Sequence, residues 1–359
     1  MTRIALAGVH ARPTETELKQ AVRDAVLAVT DFSWLKSGET VFIKPSLNSG
    51  HPYPATTSPI ALAAMIELLK EKGAGRCLLG DMAGIEYVKL SPDECRGSTR
   101  QLMDNAGMTQ PVLEAGAELH FFEEAGWDAF YEDFPTAGEH WRGPLMMPEI
   151  LRQVNHIVLM PRCGHHVLLG STLGLKAAVG YWRTDTRLEY HYGAATIHEK
   201  TAEANTVSVL LEKQRLVVTA ADKILATFGP DQGHVVEPET GLVIASKSVV
   251  AHDMVSLAWL LEHRHTVAPE LVEGFIDTSP LVAEIGNRWV VGKLGSPPSA
   301  LTAEHLRKQE LQTIWDDRVL NQAYRIFGGI PDLQFVSANQ AVPQELVQRI
   351  EKTTMPEHR

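Results

Sequence analysis

Asn155-His156-Ile157-Val158-Leu159-Met160-Pro161-Arg162-Cys163-Gly164-His165-His166 carries the pattern from which the fold is read. Its first half is a short apolar run stopped by a proline, the signature of a strand buried on both faces. Its second half is polar and reactive: a thiol, a glycine and two adjacent imidazoles. A buried strand that runs straight into such a loop is typical of a parallel sheet whose strand ends carry a site.

The same rhythm extends outward in both directions. Thr2–Val9 reads as a first strand rather than a signal peptide. Thr14 then caps a helix running to about Val29, with Leu18, Ala21, Val22, Ala25 and Val26 on one face. Thr40–Lys44 is a short buried strand. Ser58-Pro59 opens a helix that stops at Gly73, and Arg76–Gly80 is a strand ending at Asp81. A helix near Ser98–Asn105 and a strand over Ala117–Phe122 come next. Beyond the quoted stretch, Leu216–Ala220 is a strand with Asp222 just past it. Leu242–Ala245 is another, and a helix spans about Val249 to Glu262. The fold class is therefore α/β: a mostly parallel sheet covered by helices, with strand-end loops forming the site. Residues 123–153 break the rhythm. They are rich in acids and aromatics (Trp127, Phe130, Tyr131, Phe134, Trp141) and read as an excursion or lid. The expected organisation is an α/β core over 1–298 and a mainly helical extension over 299–359, with one strand pattern at Leu333–Val336.

Composition narrows the function classes. The 359 residues carry a formal net charge of −11 and no basic patch, so neither nucleic acid nor an anionic membrane surface is an expected partner. No run of about 18 apolar residues exists, so no membrane span is expected. Cys77, Cys95 and Cys163 lack C-x-x-C spacing and cannot supply four thiolates to an iron–sulfur cluster. A reducing cytoplasm fits that cysteine usage. No G-x-G-x-x-G follows the first strand, so NAD is not expected.

The candidate site residues lie where strands end or helices begin. Lys44 and Asn48 follow one strand, and Thr57 precedes the helix at Pro59, whose free N–H groups suit an anion. Asp81 and Asp222 end two further strands. Lys176 lies among apolar neighbours, where a lowered pKa makes an amine a base, a nucleophile or an anion anchor. The segment Gly170–Lys176 is not a phosphate loop, because Leu175 stands where that motif needs glycine. Arg187 offers a planar fork for a carboxylate. His165, His166, His191 and His198 are candidate ligands of a divalent metal, and His166 and His191 are equally candidate acid–base groups. Asp253, near a helix start, suits an electrostatic role at that terminus.

Several ordered blocks resemble the domain of unknown function 362 family. They are Ile43-Lys44-Pro45 with Thr56-Thr57-Ser58-Pro59, Gly80-Asp81 with Ala83-Gly84, and Pro161-Arg162-Cys163-Gly164-His165-His166. Thr172-Leu173-Gly174-Leu175-Lys176 with Arg187 and His191 follows, then Asp222, Gly229-Pro230, Gly233 and Asp253. The resemblance implies a distant similarity to nickel-pincer lactate racemases, which set histidines and a lysine around a cofactor. It favours His166 over His165, because His166 falls at the family's histidine position. Ser46 stands where the family usually has asparagine, and Gly164 where it usually has lysine. Clustered cysteines of an appended ferredoxin-like domain are missing, which leaves no iron–sulfur role. The expectation is an enzyme, metal-dependent or using histidine acid–base chemistry, acting on a small carboxylate-like anion. Proton abstraction, isomerisation, decarboxylation and oxidation all fit. The rivals are a ligand carrier without chemistry and a homo-oligomer whose aromatic stretch is the subunit contact.

Overall fold

Five apolar runs, Ile4–Ala7, Val41–Ile43, Ile157–Met160, Leu216–Val218 and Leu242–Ala245, have no significant exposure. Strands of that kind need helices on both faces. The computed structural model, which describes residues 1–271 and 274–356, has that arrangement. Its main sheet has eight strands: β1 (Thr2–His10), β2 (Thr40–Pro45), β3 (Arg76–Leu79), β4 (Glu118–Leu119), β5 (His156–Met160), β6 (Gln214–Ala221), β7 (Thr240–Ser246) and β8 (Leu333–Ser337). Their order is β8-β1-β7-β6-β5-β2-β3-β4. Every neighbouring pair is parallel except the two made by β7.

Side chains alternate across the pleat between two cores. Val41, Ile43, Val158 and Met160 face the layer of α1 (Glu15–Val29) and α2 (Pro59–Glu71). Phe42, Ile157 and Leu159 face the opposite core, which holds most of the later helices. These include α3 (Thr184–Tyr192), α4 (Ile197–Glu203), α5 (Val249–His265), α6 (Pro280–Leu294) and α7 (Gln344–Thr354). Local signals set the first two helices. Thr14 and Glu17 form a reciprocal cap on α1, and α2 starts with the Ser58 cap and Pro59.

The chain steps from β2 outward to β3 and β4, then returns to lay β5 on the other flank of β2. That reversal makes the junction of β2 and β5 the topological switch point, and the crevice outside the strand ends at such a point is where open α/β sheets bind ligands.

One expectation changes and one is narrowed. The strand expected over Ala117–Phe122 shrinks to Glu118–Leu119. Phe121 anchors in one core and Phe122 in the other, and the chain leaves the sheet in a 3-10 turn. Of the two readings of the aromatic stretch, excursion or lid, the packing matches an excursion. It forms a hairpin, Phe130–Asp133 with Leu145–Pro148, whose Leu145 and Met147 are fully buried. Trp141 stacks on Tyr190 at 6.1 Å, meets Trp182 edge-on at 5.1 Å and donates its indole N–H to Lys200 O at 3.0 Å. The Arg183 guanidinium lies 3.9 Å from the Trp127 ring centre. Burying this aromatic surface makes the excursion a buttress behind α3. In the C-terminal tail, β8 extends the edge of the sheet beside β1, and Asn339 bonds both backbone groups of Gly8 at 2.9 and 3.0 Å.

Trp141→Ala is expected to lower unfolding free energy by about 3 kcal/mol, measured from the denaturant midpoint. An unchanged midpoint would show that the buttress bears no load.

Candidate functional site

The rim at the β2/β5 crevice is built first from a buried ion pair. Lys44, 1% exposed, ends β2 and places its Nζ 2.9 Å from Asp81 Oδ1, just past β3. Lys44 also donates to Pro45 O at 2.7 Å. Asp81 accepts the backbone N–H groups of Leu47 at 2.9 Å and Met82 at 2.8 Å. Burial pushes Lys44 down and Asp81 up, and their mutual attraction opposes both shifts. The Tyr181 ring covers the ammonium at 5.2 Å. Gly180 makes this approach possible, since a Cβ there would lie 2.1 Å from Asp81 Oδ1 and 2.5 Å from Lys44 Nζ.

Two buried arginines flank the pair. Arg187, on α3, donates to Ala83 O at 2.5 Å, Met82 O at 2.7 Å and Gly180 O at 3.3 Å, and its Nε has no partner. Arg162 follows β5 and donates Nη1 to Pro230 O at 2.5 Å. The turn that presents Pro230 approaches closely. A Cβ on Gly229 would fall 2.0 Å from His165 O, in a backbone region (φ 56°) that favours glycine. The same turn carries Asp231, which accepts from Asn48 and, at 3.3 Å, from Tyr87.

Lys176 sits on the turn Gly174–Ala177. Asp253 holds that turn, accepting from Gly174 N at 2.8 Å and Leu175 N at 2.7 Å. The dipole role expected for Asp253 is thus played at a different terminus from that of its own helix. Burial first, then the charges of Arg162 and Arg187, lower Lys176 to about 7. His166 lies beside Lys176 and Arg162 on the strand Gly164–His166 and is held well below the usual range by burial and those charges. Burial likewise lowers His191 to about 4. Both imidazoles are neutral at pH 7, so each carries one ring proton.

The contacts say which nitrogen carries it. Leu168 N donates to His166 Nδ1 at 3.1 Å, so that nitrogen is bare and the proton is on Nε2. His191 is the opposite case. Asn287 Nδ2 donates to His191 O at 2.9 Å, which turns the amide oxygen toward His191 Nδ1 at 2.8 Å. That oxygen only accepts, so Nδ1 carries the proton and Nε2 is bare. His166 therefore presents a donor at Nε2, and His191 an acceptor.

His165 and His198 lie outside this cluster. His165 donates Nδ1 to Phe228 O at 2.9 Å and lies 3.2 Å from Asp277, on the opposite side of the strand from His166. His198 is buried on α4 beside Arg318, with neither ring nitrogen partnered. The four-histidine metal set thus does not assemble, and among the described residues no three His, Cys, Asp or Glu side chains form a ligand group. Alternation on a strand and separate helices keep the rings apart. Asp222 is bonded by Tyr53 at 2.7 Å, and the Thr57 hydroxyl ties Ser46 N (2.8 Å) to Met160 O (2.6 Å), bracing the two flanks of the crevice. Gly180 and Asn287 carry no signal in the sequence, whereas Arg162 stands in the loop just after a buried strand and Tyr181 in an aromatic polar stretch.

These features define an α/β protein with a cluster of buried cationic side chains at its switch point. The chain belongs to the family described as domain of unknown function (DUF362), whose sequence model matches residues 41–258. No curated protein matches it. Among solved structures, a protein from Thermotoga maritima is similar at 12% identity and a TM-score of 0.44, with 72% of this chain and 61% of that one covered. The lactate racemase apoprotein from Thermoanaerobacterium thermosaccharolyticum is similar at 12% identity and a TM-score of 0.41, with 60% of this chain and 50% of that one covered. The chain therefore spans less than two thirds of either relative. Among the described residues no helix is long and apolar enough to cross a membrane.

Lys44→Met is expected to cost about 3–5 kcal/mol, because it strands a buried carboxylate. Adding Asp81→Asn should return most of the loss in chemical unfolding. Long-range 15N–1H NMR should show His191 protonated at Nδ1, and Asn287→Leu should produce a tautomer mixture. Nε2 protonation in the wild type would contradict the assignment.

Proposed function

We propose that the chain is an enzyme that binds a small carboxylate-like anion in the β2/β5 crevice and moves a proton on it. The observation that carries this reading is the opposite ring protonation of His166 and His191 around one cationic centre. Acid–base catalysis needs a donor and an acceptor held in place, with a group that titrates near the working pH. His166 Nε2–H is the donor that steadies negative charge developing on the substrate. His191 Nε2 and the neutral Lys176 amine are the acceptors. Lys44 and Arg187 set the positive potential, and Asp81 fixes Lys44 in place. Proton abstraction next to the carboxylate, and the isomerisation that follows it, suit this set better than decarboxylation or oxidation, which need no such pair.

Only His166 and His191 of the expected ligands share the crevice, fewer than the roughly three protein ligands usual for a catalytic metal.

The test uses small carboxylates bearing a C–H next to the carboxylate, incubated in D2O and followed by 1H NMR. At least one is expected to lose that signal to deuterium. The rate should rise with pH through about 7, because Lys176 is the acceptor only after it loses its proton. The histidines stay neutral across that range and add no second limb. Lys176→Met should slow exchange by about 100-fold or more. Saturable binding with no exchange for any compound would overturn the enzyme reading in favour of a carrier.

A further inference from the structure

Arg162 is among the largest fully buried side chains, at 1% exposure. Among the described residues it makes no ion pair within 4 Å, and its one hydrogen bond runs from Nη1 to Pro230 O. Its Nε and Nη2 are both buried and both without an acceptor. A guanidinium keeps its charge in any protein, and a buried charge without a partner costs several kcal/mol. Asp231 lies near enough to act on Arg162 electrostatically, yet it accepts instead from Asn48 and Tyr87.

The two open donors are not scattered. Nε–H and the inner N–H of Nη2 point the same way from one edge of the planar group, spaced to match the two oxygens of a carboxylate. Nη1, on the other edge, is pinned by the Pro230 carbonyl, so the ring plane is fixed while that edge stays open. The open edge belongs to the residue that also raises the potential at His166 and Lys176.

We infer that Arg162 is the specificity-determining anchor of the substrate, gripping a carboxylate through both Nε–H and Nη2–H. This rests on the proposed site and deepens it. The carboxylate is held at the open edge of Arg162, and the carbon next to it is thereby set beside Lys176 and the histidine pair. A monocarboxylate satisfies both donors at once and supplies the missing counter-charge. Lysine at this position keeps the charge but has no planar fork, so it cannot replace the pair of parallel bonds.

Acetate and inorganic phosphate are the probes, titrated by calorimetry into the wild-type protein and Arg162→Lys. Acetate is expected to bind saturably, and more tightly than phosphate. Arg162→Lys should weaken acetate at least about tenfold although charge is conserved. A second measurement needs only the wild type: the Arg162 Nε–H resonance should move downfield as acetate is added. Unchanged affinity in a folded Arg162→Lys, a static Nε–H signal, or tighter phosphate binding would each overturn the carboxylate fork. The proton-exchange assay separates this from failure of the broader reading. Exchange that persists while Arg162 proves idle sinks only the anchor. Acetate bound through Arg162 with no exchange on any compound sinks only the catalysis.

Discussion

Positive charge held out of water is the constraint around which the rim of this sheet is arranged. Lys44, Arg162 and Arg187 are each buried, and Lys176 is lowered to about 7 by the same surroundings. One direct carboxylate contact, from Asp81 to Lys44, answers them. Burial of a charge is costly unless it is paired or hydrogen-bonded. The local details follow from that. Gly180 lets the ion pair close, backbone carbonyls from Met82, Ala83 and Gly180 cage Arg187, and Tyr181 covers Lys44. What these contacts leave over is an unsatisfied field that an anion would complete.

The same surroundings set which of these side chains are charged. Burial first, and the neighbouring cations second, drive Lys176 and both histidines toward their neutral forms, so near neutral pH both imidazoles are uncharged and Lys176 is close to its midpoint. Which nitrogen of each imidazole is bare is then a matter of one neighbour each. A backbone amide settles His166. Asn287 on α6 settles His191, which ties a late helix of the chain to a site founded on β2. The aromatic hairpin serves the same end from behind, bracing the helix that carries Arg187 and His191.

Much of this was legible in the chain, because the physics of buried strands is local. Apolar runs of four or five residues, capped helix starts such as Thr14 and Ser58-Pro59, and a proline after Met160 mark elements without any tertiary knowledge. Lys44, Asp81 and His166 are legible as polar groups at strand ends, Lys176 as an amine among apolar neighbours, and Arg187 and His191 by the chemistry of their side chains. The aromatic stretch stays open between excursion and lid in the sequence for a related reason. Aromatics spaced irregularly look the same in a lid and in a packed hairpin until their partners are known.

The sequence by itself determined the α/β class, the sites of most strands and the rim on which the reactive side chains gather, since burial period and caps act over a few residues. Only the tertiary structure decided which of those side chains meet. It drew Asp222 to Tyr53 and His165 to Phe228 and Asp277, and it left His198 beside Arg318. It also opened one edge of Arg162, fixed the histidine tautomers through Leu168 and Asn287, and brought Gly180 against an ion pair far away in the chain. These outcomes depend on distances between residues as much as 169 positions apart, and on the cost of leaving a buried polar group alone, which no local pattern encodes.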